Sequence, residues 1–357
     1  YQPVKIVIYQ WVTLLINKGA DINQTTFAYS PLISACKPGH LPIVTLLVDK
    51  GADINQTTSL YSPLISACEG GNESIVTLLI DKRADINLTT PWYSPLISAC
   101  EGGHVPIVTL LINKGADINQ TTSVYSPLSA ACKKGNESIV TLLIEKGADI
   151  NQKTSLNSPL SAAIEGGNES IFTLLIDKGA DMNQTTQKYS PLSTACKSGN
   201  ESIVTLLIDK GADINQTTSL YSPLSAACIG GNESIVTLLI DKGADINQTT
   251  SLYSPLSAAC IGGNKSIVTL LIDKGADINQ TTYWYSPLSA ACKSGNKSIV
   301  TLLIDKGADI NQTTPMYSPL SSACRCGDKS IVTLLIDKGA DINQKTSWNS
   351  PLSAACL

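Results

Sequence analysis

The chain has 357 residues, 43% of them apolar and only 15% charged, and 25 Lys and Arg against 29 Asp and Glu give a formal net charge of −4 at pH 7. This length could fill two ordinary domains or one elongated array, and the weakly acidic balance argues against nucleic acid as a partner. Two histidines and 5% aromatic residues leave few side chains of the kinds that metal sites and general-base catalysis recruit, which disfavours an enzyme.

The N-terminal residues show no sign of export or membrane insertion. The opening YQPVKIVIYQW lacks the basic start and the cleavage site of a signal peptide. No run reaches the roughly 18 consecutive apolar residues of a membrane span, since the recurrent stretch IVTLLI already contains a threonine. We therefore expect a soluble cytoplasmic chain without membrane insertion. The start at Tyr1 rather than Met suggests a piece of a longer protein.

A short motif divides the chain into equal parts. The tripeptide GAD, or RAD at position 83, begins every 32 residues from position 19 to position 339 without an insertion. A fixed period of this size indicates stacked units that bury their apolar faces on their neighbours. We predict a single array over residues 1–357 without internal boundaries. It would comprise a partial copy at 1–18, ten full repeats at 19–338 and a partial copy at 339–357.

The copy at residues 211–242 predicts a short first helix. Ser222 and Pro223 place an N-cap hydroxyl before a proline at the first helical position, which is a strong helix start. The small residues at 226–228 would let another helix approach closely. Gly231 can adopt the left-handed conformation that ends a helix.

The second half of the same copy predicts a longer, core-building helix. Five apolar residues from 235 to 240 recur at helical spacing, and replacing Leu238 by alanine is expected to cost roughly 2 to 5 kcal/mol and to loosen nearby repeats most. Gly243 ends this helix. The polar stretch 245–250 then predicts an extended loop or a narrow hairpin that leads to the next helix.

The segments GADIN, SPLSAAC, GGN and SIVTLLIDKGAD resemble the ankyrin repeat, whose pattern reads GADVN, TPLHLAA, GH and IVxLLLxxGAD. The resemblance covers essentially the whole chain. It implies an all-α fold, an ankyrin-repeat α-solenoid with short hairpin or loop fingers. It also implies a protein-binding scaffold that grips its partners through the finger tips and the first helices.

The sequence departs from the family pattern in three ways. The repeat is one residue shorter than the usual 33, and TTSLY replaces the turn of the type DxxG. The histidine at the start of the family's first helix is absent, with Ile33, Ile65 and Ile97 there in early copies and serine afterwards. Arg83 stands where the other copies have glycine, so a positive φ there would cost roughly 1 to 2 kcal/mol.

Cysteines and asparagines recur mainly for structural reasons. Ten of the 11 cysteines occupy one position of the first helix, where stacked helices about 8 to 10 Å apart would hold them too far apart for disulfides. We expect buried thiols in a reducing compartment, and only a weak alternative of a metal site at Cys324 and Cys326. Formal glycosylation signals such as those at Asn55 and Asn72 are interpreted as turn and helix-start residues.

No catalytic constellation is found. The chain shows no nucleophile with a histidine partner, no paired carboxylates, no phosphate-binding glycine loop and no zinc spacing. His40 and His104 follow a turn glycine, where the family has His or Asn, and are interpreted as structural. The sequence therefore predicts neither a cofactor nor a catalytic or metal-binding residue.

The aromatic residues are the most informative feature. Fourteen of the 18 lie in the loop just before the Ser-Pro pairs, nine of them tyrosines at one recurrent position. These tyrosines could form a partner-binding row or pack between neighbouring loops. The preceding pair of residues varies between otherwise similar copies, as does a pair at the end of the first helix. Large exposed aromatic side chains are typical anchors of interfaces.

The resemblance and the variation together predict a partner-binding face, with surface drift as the alternative explanation of the variation. Its predicted residues are Phe27, Tyr29, Leu60, Tyr61, Trp92, Tyr93, Val124, Tyr125, Lys188, Tyr189, Leu220, Tyr221, Ile229, Leu252, Tyr253, Ile261, Tyr283, Trp284, Tyr285, Met316, Tyr317 and Trp348.

Three functions remain open from the sequence. The first is a monomeric scaffold for protein partners of unknown identity. The second is the substrate-recruiting arm of a larger multidomain enzyme, and the third is a mechanical spacer without a dedicated ligand.

Overall fold

The computed structural model describes residues 2–356, with side chains described from residue 7 onward. Over this range the chain folds into helices and turns without a strand, and it divides into two compact units, Tyr1–Asp181 and Met182–Leu357. The helices of unit 1 are α1 (Gln2–Asn17), α2 (Pro31–Cys36), α3 (Leu41–Asp49), α4 (Pro63–Glu69), α5 (Glu73–Asp81), α6 (Pro95–Gly102), α7 (Val105–Asn113), α8 (Pro127–Lys134), α9 (Glu137–Glu145), α10 (Pro159–Glu165) and α11 (Glu169–Asp177).

Unit 2 repeats the same alternation of a first helix and a second helix. Its helices are α12 (Pro191–Ser198), α13 (Glu201–Asp209), α14 (Pro223–Gly230), α15 (Glu233–Asp241), α16 (Pro255–Gly262), α17 (Lys265–Asp273), α18 (Pro287–Ser294), α19 (Lys297–Asp305), α20 (Pro319–Cys326), α21 (Lys329–Asp337) and α22 (Pro351–Ala355).

The first helix begins at the predicted Ser-Pro pair and is capped more completely than the sequence indicates. In α14 the Ser222 hydroxyl accepts a hydrogen bond from the Ser225 amide, and the Ser225 hydroxyl accepts one from the Ser222 amide at 2.8 Å. Serine at the position of the family's histidine thus forms a reciprocal cap. Where Ile97 stands instead, its side chain is fully buried and only the Ser94 hydroxyl caps the helix.

The second helix buries a narrower stripe than the sequence predicts. In α15 the side chains of Ile235, Val236 and Leu239 are 0 to 1% exposed, whereas Leu238 and Ile240 are half-buried. The expectation that Leu238 is a core residue was therefore wrong, because position 239 rather than 238 faces the neighbouring helices. The helical spacing of the apolar residues predicts a broad buried face, and it does not distinguish the buried Leu239 from the half-buried Leu238.

Small side chains bring the first helices together within each unit. Along α14 the side chains of Ala226, Ala227 and Cys228 are all fully buried, and the first helices of successive repeats pack closely while the second helices touch only lightly. Alanine and cysteine permit this approach because they add little bulk beyond the backbone. Eight of the ten recurrent cysteines are buried and serve as packing residues, whereas Cys324 is half-buried and Cys356 is exposed.

The left-handed backbone predicted at position 83 is present. Arg83 has φ = 68°, and it is the non-glycine residue with positive φ in the part of the chain that is described. The glycines at this position in the other repeats have φ near 90°, for example Gly115 at 91°.

The predicted partial copy at residues 1–18 folds as the single helix α1, which contacts α3. The partial copy at 339–357 supplies a loop and α22. Its last residue, like Tyr1, lies outside the described range.

Candidate partner-binding face

The fingers are turns fixed by a recurrent threonine. In the turn at residues 58–61 the amide of Thr58 donates to the Tyr61 carbonyl at 2.9 Å, and the Thr58 hydroxyl accepts from the Tyr61 amide at 3.0 Å. The same bonds recur at Thr250 and Tyr253. The finger is therefore a closed turn rather than a β-hairpin, and its residues are held by bonds that do not involve the variable side chains.

In most repeats the same threonine ties the finger to the preceding one. The Thr218 hydroxyl donates to the Lys188 carbonyl at 2.8 Å, the Thr250 hydroxyl to the Leu220 carbonyl, and the Thr314 hydroxyl to the Trp284 carbonyl. The acceptor in each case is the backbone of a variable residue. Because any residue supplies a carbonyl, the side chain there can change from lysine to leucine to tryptophan without loss of the bond.

A second network fixes the loop between the second helix and the finger. The Asp245 amide donates to the Asn215 side chain of the preceding repeat at 2.8 Å, the Asn247 amide donates to the Asp245 carboxylate at 2.9 Å, and the Gln248 side chain donates to the Asn215 carbonyl. These contacts account for the recurrence of the DINQ sequence. Its asparagine side chains are engaged between repeats, which favours the structural interpretation of the formal glycosylation signals.

The turn asparagine is engaged in the same manner. The Asn72 side-chain amide donates to the carbonyls of Cys36 and Lys37 at 3.0 and 2.9 Å. His104, which occupies this position one repeat later, has its Nε2 at 3.3 Å from the Glu69 carbonyl. Both side chains therefore bridge repeats, as their structural interpretation requires.

The structure places the predicted face residues in three environments. Those with exposed side chains are Phe27, Tyr29, Trp92, Lys188, Tyr283 and Trp348; those half-buried are Leu60, Tyr61, Tyr93, Val124, Tyr125, Leu220, Ile229, Leu252, Ile261 and Trp284; those buried are Tyr189, Tyr221, Tyr253, Tyr285, Met316 and Tyr317. The exposed group includes Phe27 at 74% and Trp348 at 63%, so these rings are accessible for contact.

The recurrent tyrosines stack on one another. In unit 2 the rings of Tyr189, Tyr221, Tyr253, Tyr285 and Tyr317 form a continuous row with centroids 5.0 to 6.1 Å apart. Each inner ring is stacked on both faces, and all five tyrosines of the row are at most 8% exposed. Of the two roles that the sequence left open, these five rings show packing between loops.

Cations at the ends of the first helices reach the tyrosine hydroxyls. The Lys133 ammonium donates to the Tyr125 hydroxyl at 2.7 Å, and Arg325 donates to the Tyr317 hydroxyl at 3.0 Å. Sequence analysis recorded this position as variable without recognising the contact. The constant separation of eight residues between tyrosine and cation was the signal that could have revealed it.

The first-helix ends differ in charge between the two units. In unit 1 the lysines are paired with carboxylates of the next repeat, Lys37 with Glu69 at 2.6 Å and Lys133 with Glu165 at 3.3 Å. Burial raises the pKa of Glu101, which lies between these pairs in sequence. In unit 2 the corresponding residues are Lys197, Ile229, Ile261, Lys293 and Arg325. Unit 2 thus presents cations and isoleucines where unit 1 presents ion pairs.

The described residues show no assembled metal centre. Among residues 2–356 no group of three or more His, Cys, Asp or Glu side chains lies close enough to hold an ion. Cys324 is half-buried and Cys326 is exposed. None of the helices described is both long and apolar enough to cross a membrane.

Pairs of short helices joined by turns and stacked through their first helices define a repeat protein of the α-solenoid class. The chain belongs to the ankyrin repeat family, because the family model for ankyrin repeats (3 copies) matches residues 8–90, 89–154, 153–218, 218–282 and 281–346. Among solved structures it is similar to the human ASB11 ankyrin repeat domain, with 28% identity and a TM-score of 0.51 over 61% of this chain and 99% of that one. A comparison with curated proteins gave no match.

Ankyrin repeats are general protein–protein interaction modules, and the fold is typically a non-catalytic scaffold.

Proposed function

We propose that the chain is a protein-binding scaffold whose fingers and first-helix ends contact the partner. The proposal rests on one observation: the bonds that hold the backbone of the fingers do not depend on the variable side chains. Threonine hydroxyls bond the backbone carbonyls of the variable residues, so the chain can display different side chains on one frame. The exposed Phe27, Trp92 and Trp348 are large anchors of the kind that interfaces use.

A matched pair of variants tests this function. The triple variant Trp92→Ala, Trp284→Ala, Trp348→Ala removes finger side chains without touching the threonine bonds. The control variant Ile336→Ala, Ile342→Ala removes exposed apolar side chains that lie outside the fingers. Quantitative affinity capture from the native cell lysate should show at least one protein lost by the triple variant and kept by the control. A triple variant that retains every captured protein contradicts the proposal and supports the spacer.

The recruiting arm of a larger enzyme would use the same surface. Captured partners that become modified in the presence of the full-length parent protein would favour that alternative. We further propose a monomer in a reducing, cytoplasmic compartment. Eight cysteines that are free and buried fit such a compartment, since oxidising conditions favour disulfides.

A further inference from the structure

A cavity of about 220 Å³ opens on unit 2 between the ends of α18 and α20. Its lining residues are Lys293, Tyr317, Ser322, Arg325 and Cys326. A water molecule occupies about 30 Å³ of liquid, so the cavity has room for a group the size of a carboxylate or a phosphate. Two of the lining side chains are cations, and carboxylate side chains are missing from the lining.

The two cations are held side by side by the tyrosine row. Lys293 donates to the Tyr285 hydroxyl, and Arg325 donates to the Tyr317 hydroxyl at 3.0 Å. The two rings stack with centroids 5.4 Å apart and planes 3° apart. The row therefore fixes two positive groups on adjacent repeats, where an anion between them would interact with both.

Both cations lack the partner that such residues have in unit 1. Lys37 and Lys133 each pair with a carboxylate one repeat further along, whereas the residue one repeat after Lys293 is Arg325. Within the described range neither Lys293 nor Arg325 lies within 4.0 Å of a carboxylate. An anion supplied from outside would complete the same charge pattern.

We propose that this cavity binds an oxyanion, a carboxylate or phosphate carried by a side chain of the protein partner. Arg325 and Lys293 supply charge-assisted hydrogen bonds. The proposal deepens the proposed function and rests on it for the identity of the carrier, since the partner brings the anion to the first-helix ends. The cavity itself can be probed without the partner.

The test is an NMR titration of the ¹⁵N-labelled full chain with inorganic phosphate, N-acetylphosphoserine amide and N-acetylglutamate amide, at constant ionic strength. The backbone amide chemical shifts of Ser322 and Arg325 should change saturably with phosphate and with one of the two amino acid derivatives. The derivative that binds more tightly identifies the source of the anion. Arg325→Gln and Lys293→Ala should each weaken binding about tenfold or more. Absence of a saturable shift for every probe overturns the proposal.

A control variant occupies the same repeat position in unit 1. Lys133→Ala removes a lysine that bonds a tyrosine hydroxyl but already has a carboxylate. It should not change phosphate affinity; equal weakening by Lys133→Ala would show general charge attraction and overturn the site. Because these probes need no partner, failure of the cavity leaves the tryptophan capture result standing. If instead the tryptophan triple variant retains every captured protein, the phosphate titration of the cavity still stands.

Discussion

At the scale of single residues, position 83 shows how strongly the repeat structure around a residue determines its backbone conformation. Every other repeat has glycine there, and added Cβ atoms at Gly51 and Gly115 would meet no atom within 4 Å. The space around the position is open, so the preference for glycine is conformational rather than steric. Arg83 adopts φ = 68° because the surrounding helix end and loop leave it no alternative.

We expect Arg83→Gly to increase the free energy of unfolding by about 1 kcal/mol, because a left-handed backbone costs a side chain more than it costs glycine. Urea unfolding followed by circular dichroism measures this change. The reciprocal variant Gly115→Arg should destabilise the protein by a similar amount. An Arg83→Gly protein no more stable than the parent would show that the arginine has gained compensating contacts.

At the scale of elements, the buried tyrosine row packs the fingers of unit 2 against one another. Burial raises the pKa of Tyr253 to about 12, and the stacked rings of Tyr221 and Tyr285 add to this effect. The neutral phenol is therefore favoured in the folded state over the unfolded one, whose pKa is about 10. The resulting stability is complete below pH 10 and is lost as the pH rises through 12.

The phenolate absorbance of the native protein should show this late ionisation. The difference between the parent and Tyr253→Phe titration curves should contain a transition near pH 12, because the substitution removes one late-ionising ring. A difference curve centred at pH 10 would show that the row opens to solvent. Urea midpoints measured between pH 9 and pH 12 should fall as the pH rises.

At the scale of the whole chain, stability should behave as a sum over neighbouring repeats. Leu239 is fully buried and Leu238 half-buried in the same helix, so they form a matched pair. Leu239→Ala should cost roughly 2 to 5 kcal/mol, and Leu238→Ala clearly less. Hydrogen exchange should locate the loss of protection in α14 to α17 rather than evenly across unit 2. Uniform loss, or equal costs for both variants, would contradict this expectation.

The sequence alone predicted the repeat, its helices and its turns, but it did not predict which side chains are buried or which residues they contact. The period, the Ser-Pro helix start and the glycine turns are local signals, and each determines the backbone near it. Whether a tyrosine points to a partner or to the next tyrosine depends on a neighbour 32 residues away, as does the pairing of Lys37 with Glu69. Leu238 and Leu239 are adjacent in one helix. Which of them is buried depends on the rotation of that helix about its axis, and the neighbouring helices determine that rotation. The anion cavity likewise arises from two repeats together.

The threonine and asparagine bonds described above join a recurrent side chain to a backbone group of another repeat, 30 positions away in the cases of Thr250 with Leu220 and Asp245 with Asn215. Removing or duplicating 32 residues within a unit would rejoin the same donors to the same acceptors. Unequal crossing-over between such similar coding segments would therefore change the order of the displayed side chains while leaving the scaffold foldable. Recognition in this protein can evolve by shuffling whole repeats as well as by point mutation.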